Sequence, residues 1–447
     1  MRYLPHTNYD IKIMLNTIGK SNLDELFNSI PQDLIKISKF NKIMPWDEIK
    51  IKDFFNKNTN NINFSFIGAG IFNHYVPEIV SQLLLRSEWY TGYTPYQPEV
   101  SQGTLQAMFE FQTIISNIYG CDISNASMYD GSTALAEALL MAIKITNHPY
   151  VLISSNIHPE YYKVCQLYLK NKNIKIKIID YDKSSGTMNL NILNKLLDKY
   201  KNKVSAVVYQ TPNFFGQLES QEKIIKITHD NNALAIAVNI DPLVFGIIES
   251  PGNLDADIVV GEGMGFTGSS GVGGSSVGFF ATRKKFLRQI PGRIVGLTTD
   301  KNNQNGFVLT ASTREQHIRK ERATSNICTN SNLNALAFTI TLSLYGKKGY
   351  QLLAMQNIKN NIYFKNNINK IKTIKILYNN NYFNESIVEF PNRNKLLNVL
   401  KSMEKKNIIG GLDLINFFPE LNKHLLICIT EMHSKTNIDT LIGELTQ

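Results

Sequence analysis

Between residues 150 and 262, five short apolar runs recur: YVLISS (150–155), IKIKIIDY (174–181), VSAVVYQT (204–211), ALAIAVNI (233–240) and ADIVVGE (256–262). Helical stretches such as GSTALAEALLMAIKIT and QEKIIKITHDNN stand before or between them. This alternation constrains the fold more than any other feature. Strands apolar on both sides must be covered on both sides, and parallel neighbours need a crossover, usually a helix. The expectation is an α/β fold with a mostly parallel sheet and helices on both faces. Ligands of such sheets sit beyond the carboxyl ends of the strands, so the segments directly after the strands matter most.

The flanks differ. Residues 1–62 read as a helical arm, with Ser21 or Asn22 capping a helix that carries Glu25 in its first turn, and a second start after Pro31 in SIPQDLIKI. KNTNNIN then links the arm to the glycine-bearing apolar segment FSFIGAGIFNHYVP. A large α/β domain is expected over 63–330, and a connecting helix with a small α/β domain over 331–447. In the small domain TNIDTLIGEL closes the chain, with Thr436 or Asn437 as its cap. The 447 residues suffice for two or three domains.

Composition excludes several classes. The net charge of +10 invites a nucleic-acid reading, but the basic residues are scattered and no stripe interleaves them with aromatics. Lys, Asn and Ile are abundant together, which compositional drift also explains. No run approaches the roughly 20 apolar residues of a membrane span. The start shows no signal-peptide pattern, so a cytoplasmic protein is expected. Cys121, Cys165, Cys328 and Cys428 show no C-x-x-C spacing and read as buried thiols, with no metal site or disulfide framework.

Four segments could carry chemistry. In SEWYTGYTPYQPEVSQGTLQ, Pro95 and Pro98 preset the backbone and hold Tyr93 and Tyr96 in a stiff loop suited to a ligand passage, or to a packed Ω-loop. In YDGSTALAEA, Asp130 leads into a helix with Ser132 and Thr133 at its N-terminus, which either holds an anion or is simply capped. His158 follows one strand and Asp241 ends another; a carboxylate at such a position can pair with a pyridine nitrogen, or merely serve a turn before Pro242. After the last strand comes a Gly/Ser-rich loop with a G-x-G-x-x-G match, but no acidic residue lies between Glu262 and Asp300 to hold a ribose. From Lys226 to Lys284 there is no lysine, so that stretch offers no amine for a Schiff base. Lastly, TREQHIRKERATSNICTN packs Arg314, His317, Arg319, Lys320, Glu321 and Arg322 before Thr324, Ser325 and Asn326: a carboxylate or subunit contact, or a solvated helix face.

The strings HYVPEIV, SEWYTGYTPYQPEVSQGTLQAMFEFQ, YDGSTALAEALLMA, HPEY, QTPNFFG, ADIVVGEG, RQIPGRIVG and TREQHIRKERATSNICTN follow one another in this order. In them the chain resembles, over essentially its whole length, the first subunit of glycine dehydrogenase (decarboxylating), the N-terminal half of the P-protein of the glycine cleavage system. The resemblance implies a fold-type-I pyridoxal-phosphate-transferase-like large domain without the Schiff-base lysine. It implies that the cofactor is held covalently by a lysine-bearing second subunit, that glycine is decarboxylated there, and that the aminomethyl group passes to the lipoyl arm of H-protein. Two copies of each subunit, and no nucleic acid or membrane, complete the expectation. No catalytic residue is then expected on this chain. Tyr93, Tyr96, Thr324, Ser325, Asn326, Arg314 and Arg322 are expected along the active-site wall. Asp130, Ser132, Thr133, His158 and Asp241 are expected at a vestigial cofactor site. The rival expectations are a self-sufficient pyridoxal enzyme with a displaced lysine, a non-catalytic basic scaffold or nucleic-acid binder, and a subunit that has lost its role.

Overall fold

The computed structural model describes residues 5–38, 44–59, 61–268, 276–311, 314–327 and 329–446. The chain divides into two units, 1–61 and 62–447.

The first unit is helical: α1 (Asn8–Thr17), a 3₁₀ turn (Leu23–Phe27), α2 (Gln32–Ile37) and α3 (Glu48–Asn58). Local caps set these starts. Thr7 and Asp10 form a reciprocal capping box on α1, Asn22 accepts from the Glu25 N–H, and Asp47 accepts from the Lys50 N–H. The expected start at Asn22 therefore exists, but as 3₁₀ turn rather than α-helix.

The second unit holds the sheet system. In chain order its strands are β1 (Phe64–Ser65), β2 (Ile123–Ser124), β3 (Tyr150–Ser154), β4 (Lys175–Ile179), β5 (Val204–Gln210), β6 (Leu234–Asn239), β7 (Ile258–Glu262), β8 (Gly278–Thr282), β9 (Ile294–Thr299), β10 (Asn305–Thr310), β11 (Lys375–Ile376), β12 (Glu385–Glu389), β13 (Ile408–Ile409), β14 (Leu412–Asp413) and β15 (His424–Cys428). Its helices are α4 (Glu78–Leu84), α5 (Ser87–Tyr90), α6 (Gln102–Tyr119), α7 (Gly131–Thr146), α8 (Pro159–Leu169), α9 (Leu190–Lys199), α10 (Gln221–Asp230), α11 (Gln316–Arg319), α12 (Asn332–Ile368), α13 (Arg393–Lys405) and α14 (Lys435–Thr446).

Seven strands form the central sheet in the order β2-β8-β7-β6-β5-β3-β4. The five strands from β4 to β7 are parallel, and β8 and β2 join antiparallel. The two-residue period divides each central strand between two cores. Val207 and Tyr209 of β5 and Ala235 and Ala237 of β6 pack with Phe111 and Ile115 of α6, Leu193 and Leu197 of α9, and Phe338 of α12. Their neighbours Ala206, Val208, Ile236 and Val238 pack with Ala134 and Leu135 of α7 and Cys165 of α8. Burying a Val or Ile side chain contributes about 1.5–3 kcal/mol, which is why these runs tolerate no polar face.

A second sheet, β11-β12-β15-β14, is antiparallel and carries α13 and α14 through a core of Val388, Leu396, Val399, Leu425, Ile438 and Leu441. Helix α12 changes direction at Gly346, whose φ of +59° is non-helical.

Two sequence expectations are corrected, the cap of α14 and the exposure of Arg314. Residues 294–299 and 305–310 form a β9–β10 hairpin. The Asp300 carboxylate closes its turn by accepting from the Asn302 and Gln304 N–H groups, and Asn303 takes a left-handed φ of +60°. The cap of α14 is Ser434, whose hydroxyl accepts from the Asn437 N–H while the Asn437 side chain accepts from the Ser434 N–H. Arg314 is buried, not solvated. Cys121, Cys165 and Cys428 are buried free thiols, and burial pushes the first two up to about 12; Cys328 lies outside the described residues. Among the described residues no helix is long and apolar enough to cross a membrane, and no His/Cys/Asp/Glu group could hold a metal ion.

Candidate functional site

Beyond the carboxyl ends of β3, β5, β6 and β7, the second unit brings together residues far apart in sequence. Around the ends of β3, β5 and β6 lies a cavity lined by Ala69, Gly70, His158, Phe214, Asp241 and Glu385 among others. Its volume is about 10 Å³, room for roughly one water molecule.

Each charged group here is engaged by the chain itself. The Asp241 carboxylate accepts from Asn384 Nδ2 at 2.6 Å and from the Leu243 N–H at 3.1 Å. His74 Nε2 lies 3.3 Å from Asp241 Oδ1, an ion pair whose N–H points off the hydrogen-bond line. On its other side, His74 Nδ1 meets Glu431 Oε2 at 3.1 Å. Glu431 also accepts from Asn357 Nδ2 and the Tyr75 N–H, each at 2.8 Å. The imidazole stacks on Phe266 at 4.6 Å. Burial opposes a charge on His74, but the two carboxylates overcome it and hold its pKa up to about 10. The site thus contains a fully buried imidazolium sandwiched between two acids.

His158 has a different state. Its Nδ1 accepts from the Glu160 N–H, so Nε2 carries the proton and donates to the Ala69 carbonyl at 2.9 Å. Burial depresses its pKa, in keeping with a neutral ring. Beside it, Glu385 accepts from the Ala69 N–H at 2.6 Å, and burial together with the nearby Asp241 charge pushes its pKa up to about 8.

At the adjacent strand end, the N-terminus of α7 presents free N–H groups and a positive dipole end, a ready place for an anion. The chain puts Glu262 there. Its carboxylate accepts from the N–H groups of Gly131, Gly263, Met264 and Val277 at 2.9–3.2 Å and from Ser276 Oγ at 2.5 Å. Burial pushes its pKa above the ordinary glutamate value, while the five donors favour the ionised form. A Cβ on Gly131 would sit 2.2 Å from Tyr161 Oη and 2.9 Å from the Gly261 carbonyl, so only glycine lets β7 approach the helix this closely. Asp130, Ser132 and Thr133 are turned inward on one another: Asp130 accepts from Ser132 Oγ at 2.5 Å and from the Thr133 N–H at 2.8 Å.

The remaining candidates lie along the 323–330 segment. Tyr93, 74% exposed, meets Thr329 Oγ1 through its hydroxyl at 3.1 Å. Tyr96, 57% exposed, accepts from Arg293 Nη2 at 3.1 Å. Thr324, Ser325 and Asn326 line a cleft of about 580 Å³ with Tyr129, Glu137 and Tyr168. Arg314 and Arg322 line an adjoining cleft of about 500 Å³ that shares Lys144 and Thr324 with the first. Tyr93 therefore meets one end of the segment and Thr324–Asn326 line a cleft at the other, while Tyr96 is held by Arg293. Sequence reasoning missed His74, Glu262, Glu385, Asn384 and Glu431. Glu262 alone left a signal: an acid ending an apolar strand before a glycine-rich loop.

The glycine cleavage system P-protein family profile matches residues 1–445. A probable glycine dehydrogenase (decarboxylating) subunit 1 from Bacillus cytotoxicus is 43% identical, covering 99% of this chain and 98% of its own. The crystal structure of a glycine decarboxylase (P-protein) of the glycine cleavage system, in inhibitor-bound form, superposes with a TM-score of 0.86 at 34% identity, over 100% of this chain and 99% of that one. A C-DES mutant with glycine covalently linked to its pyridoxal-phosphate cofactor superposes with a TM-score of 0.64 at 12% identity, over 86% of this chain and 97% of that one. The last shows the fold alone, that of the fold-type-I pyridoxal-phosphate enzymes. The described residues do not fit that cofactor. A cavity of about 10 Å³ admits no pyridine ring, His74 and Asn384 occupy Asp241, and the Glu262 carboxylate occupies the helix terminus where a phosphate would bind.

Proposed function

The chain belongs to the glycine cleavage system P-protein family, and on that premise we propose that it is the subunit without the Schiff-base lysine in a two-subunit glycine dehydrogenase (decarboxylating). The single observation that carries the division of labour is the filled sheet end: a pocket of water size whose charged groups are paired internally. A subunit built this way supplies no covalent chemistry. It supplies a wall that orients groups and excludes water from the partner's site.

In this reading pyridoxal phosphate is held covalently by the lysine-bearing second subunit, and glycine binds there. The complex acts on the CH–NH₂ group with the lipoyl disulfide of H-protein as acceptor. Two copies of each subunit assemble in the cytoplasm. Tyr93, Tyr96, Thr324, Ser325 and Asn326 reach the partner's site or the lipoyl passage, and Arg314 and Arg322 serve the same wall. The exposure of the Tyr93 and Tyr96 side chains as a whole, and of Asn326, supports this assignment.

The test is reconstitution with the second subunit and H-protein, read by glycine–bicarbonate exchange. The combined Tyr96→Phe and Asn326→Ala variant is expected to lower turnover about tenfold or more with subunit association unchanged. Near-normal exchange by that complex would count against the wall assignment.

A further inference from the structure

The tyrosine loop and the 323–330 segment lie far apart in the sequence, yet one buried side chain touches both. Arg293, immediately before β9, is 3% exposed. Its guanidinium makes contacts in three directions. Nη2 donates to Tyr96 Oη at 3.1 Å, and the guanidinium carbon lies 5.3 Å from the centroid of that ring. Nη1 donates to Asn330 Oδ1 at 3.5 Å. Nε faces the Glu315 carboxylate at 4.0 Å, an ion pair. A rigid planar fork suits several fixed directions at once, whereas a lysine ammonium on a flexible stem does not.

The backbone that carries this fork is itself pinned. The Pro291 carbonyl accepts from Asn125 Nδ2 at 3.0 Å, and the Gly292 carbonyl from Arg314 Nη2 at 3.1 Å. Gly292 takes a left-handed φ of +75°, which turns the chain into Arg293. The Arg293 carbonyl accepts from the Ala126 N–H at 2.8 Å, and the Ala126 carbonyl accepts from Asn330 Nδ2 at 3.0 Å. Arg293 and Asn330 are thus registered against the same residue. Tyr96 is mostly in solvent, so burial does little to order it. Holding such a side chain in one rotamer takes directional contacts that offset its lost entropy, and Arg293 supplies one at the ring and one at the hydroxyl.

We propose, on the reading that Tyr96 belongs to the wall of the partner's active site, that Arg293 is a positioning residue of that wall. It sets the Tyr96 hydroxyl against the 323–330 segment, so that loop and segment present one fixed surface. Positioning of this kind matters because small displacements of orienting groups cost rate even where the chemistry is elsewhere.

The test is a double-mutant cycle in the complex reconstituted with the second subunit and H-protein, read by glycine–bicarbonate exchange: Arg293→Lys, Tyr96→Phe and the two combined. Arg293→Lys keeps a charge opposite Glu315 and removes the fork. It is expected to lower kcat about tenfold, with KM for glycine within about twofold and subunit association unchanged. Because Arg293 acts through Tyr96, the combined variant is expected to lie within about twofold of the worse single variant, whereas a merely structural loss would multiply the two effects. Multiplied effects, or near-normal exchange by Arg293→Lys while Tyr96→Phe is impaired, would overturn the positioning role and leave the wall assignment standing. Near-normal exchange by Tyr96→Phe would overturn the wall assignment of Tyr96 and the positioning role with it. If Arg293→Lys does not fold, the combined Arg293→Gln and Glu315→Gln variant, which removes both members of the buried ion pair together, takes its place in the cycle. Failure of that variant to fold as well would make Arg293 a structural residue and overturn the proposal.

Discussion

Replacing His74 with alanine is expected to remove about 3–5 kcal/mol of folding stability, because it leaves Asp241 and Glu431 buried without their shared cation. The remaining contacts, Asn384 and Leu243 on Asp241 and Asn357 and Tyr75 on Glu431, are hydrogen bonds and do not cancel the charges. The effect has a pH signature. The folded state holds the His74 proton up to about 10, whereas the unfolded chain releases it near the ordinary histidine value of 6.5. Its stabilisation is fully present below about 6.5 and is lost as pH rises through about 10. Glu385, held up to about 8, acts in the same direction over a lower window: the folded state keeps a proton that the unfolded state gives up, so its contribution fades as pH rises from about 4.5 to 8. Urea denaturation at pH 6.5 and pH 10 reads both effects. The wild-type chain is expected to lose more stability over that interval than His74→Ala. Equal stability of the two proteins at pH 6.5 would contradict the paired-imidazolium account.

The second large effect belongs to Glu262. Alanine at this position removes the acceptor of four backbone N–H groups and one hydroxyl. Each buried donor left unpaired costs about 1–3 kcal/mol, so a loss of several kcal/mol is expected. Glu262→Gln keeps one strong acceptor oxygen and is expected to lose less. The distinguishing result concerns inorganic phosphate. With the carboxylate gone, the N-terminus of α7 is open to an anion, and phosphate is expected to raise the melting temperature of Glu262→Ala by mass action. The wild-type chain, whose terminus is filled, shows no such rise from this site. If phosphate shifts both proteins equally, the Glu262 carboxylate does not stand in the place of an anion.

Much of the fold was readable in the chain because its determinants are local. The five parallel strands declare themselves by runs of Val, Ile and Ala, and their extents agree with the sequence reading to within two residues. The α7 cap was legible as Asp130 followed by Thr133. Less was legible where a residue's role depends on a partner far along the chain. Antiparallel β8 hides inside a glycine-rich stretch and is defined by pairing with β7 and β2. His74 looked like one residue in an apolar segment, since its partners are 167 and 357 positions away. Arg314 stood among charged neighbours and was read with them, yet its three carbonyl acceptors include two from a loop more than 20 residues upstream. The missing lysine between 226 and 284 was plain from sequence alone. That the chain brings His74, Asp241, Glu385 and Glu431 together at the sheet end was not, because those groups converge only in three dimensions.

This subunit's sheet end is occupied by its own side chains, which on the proposed reading leaves the cofactor to its partner. Quantifying released pyridoxal phosphate from the purified chain alone, and from its complex with the lysine-bearing subunit, tests this most directly. The expected result is none on the isolated chain and one per pair of subunits in the active complex. A stoichiometric cofactor on the isolated chain, or two per pair in the complex, would contradict it.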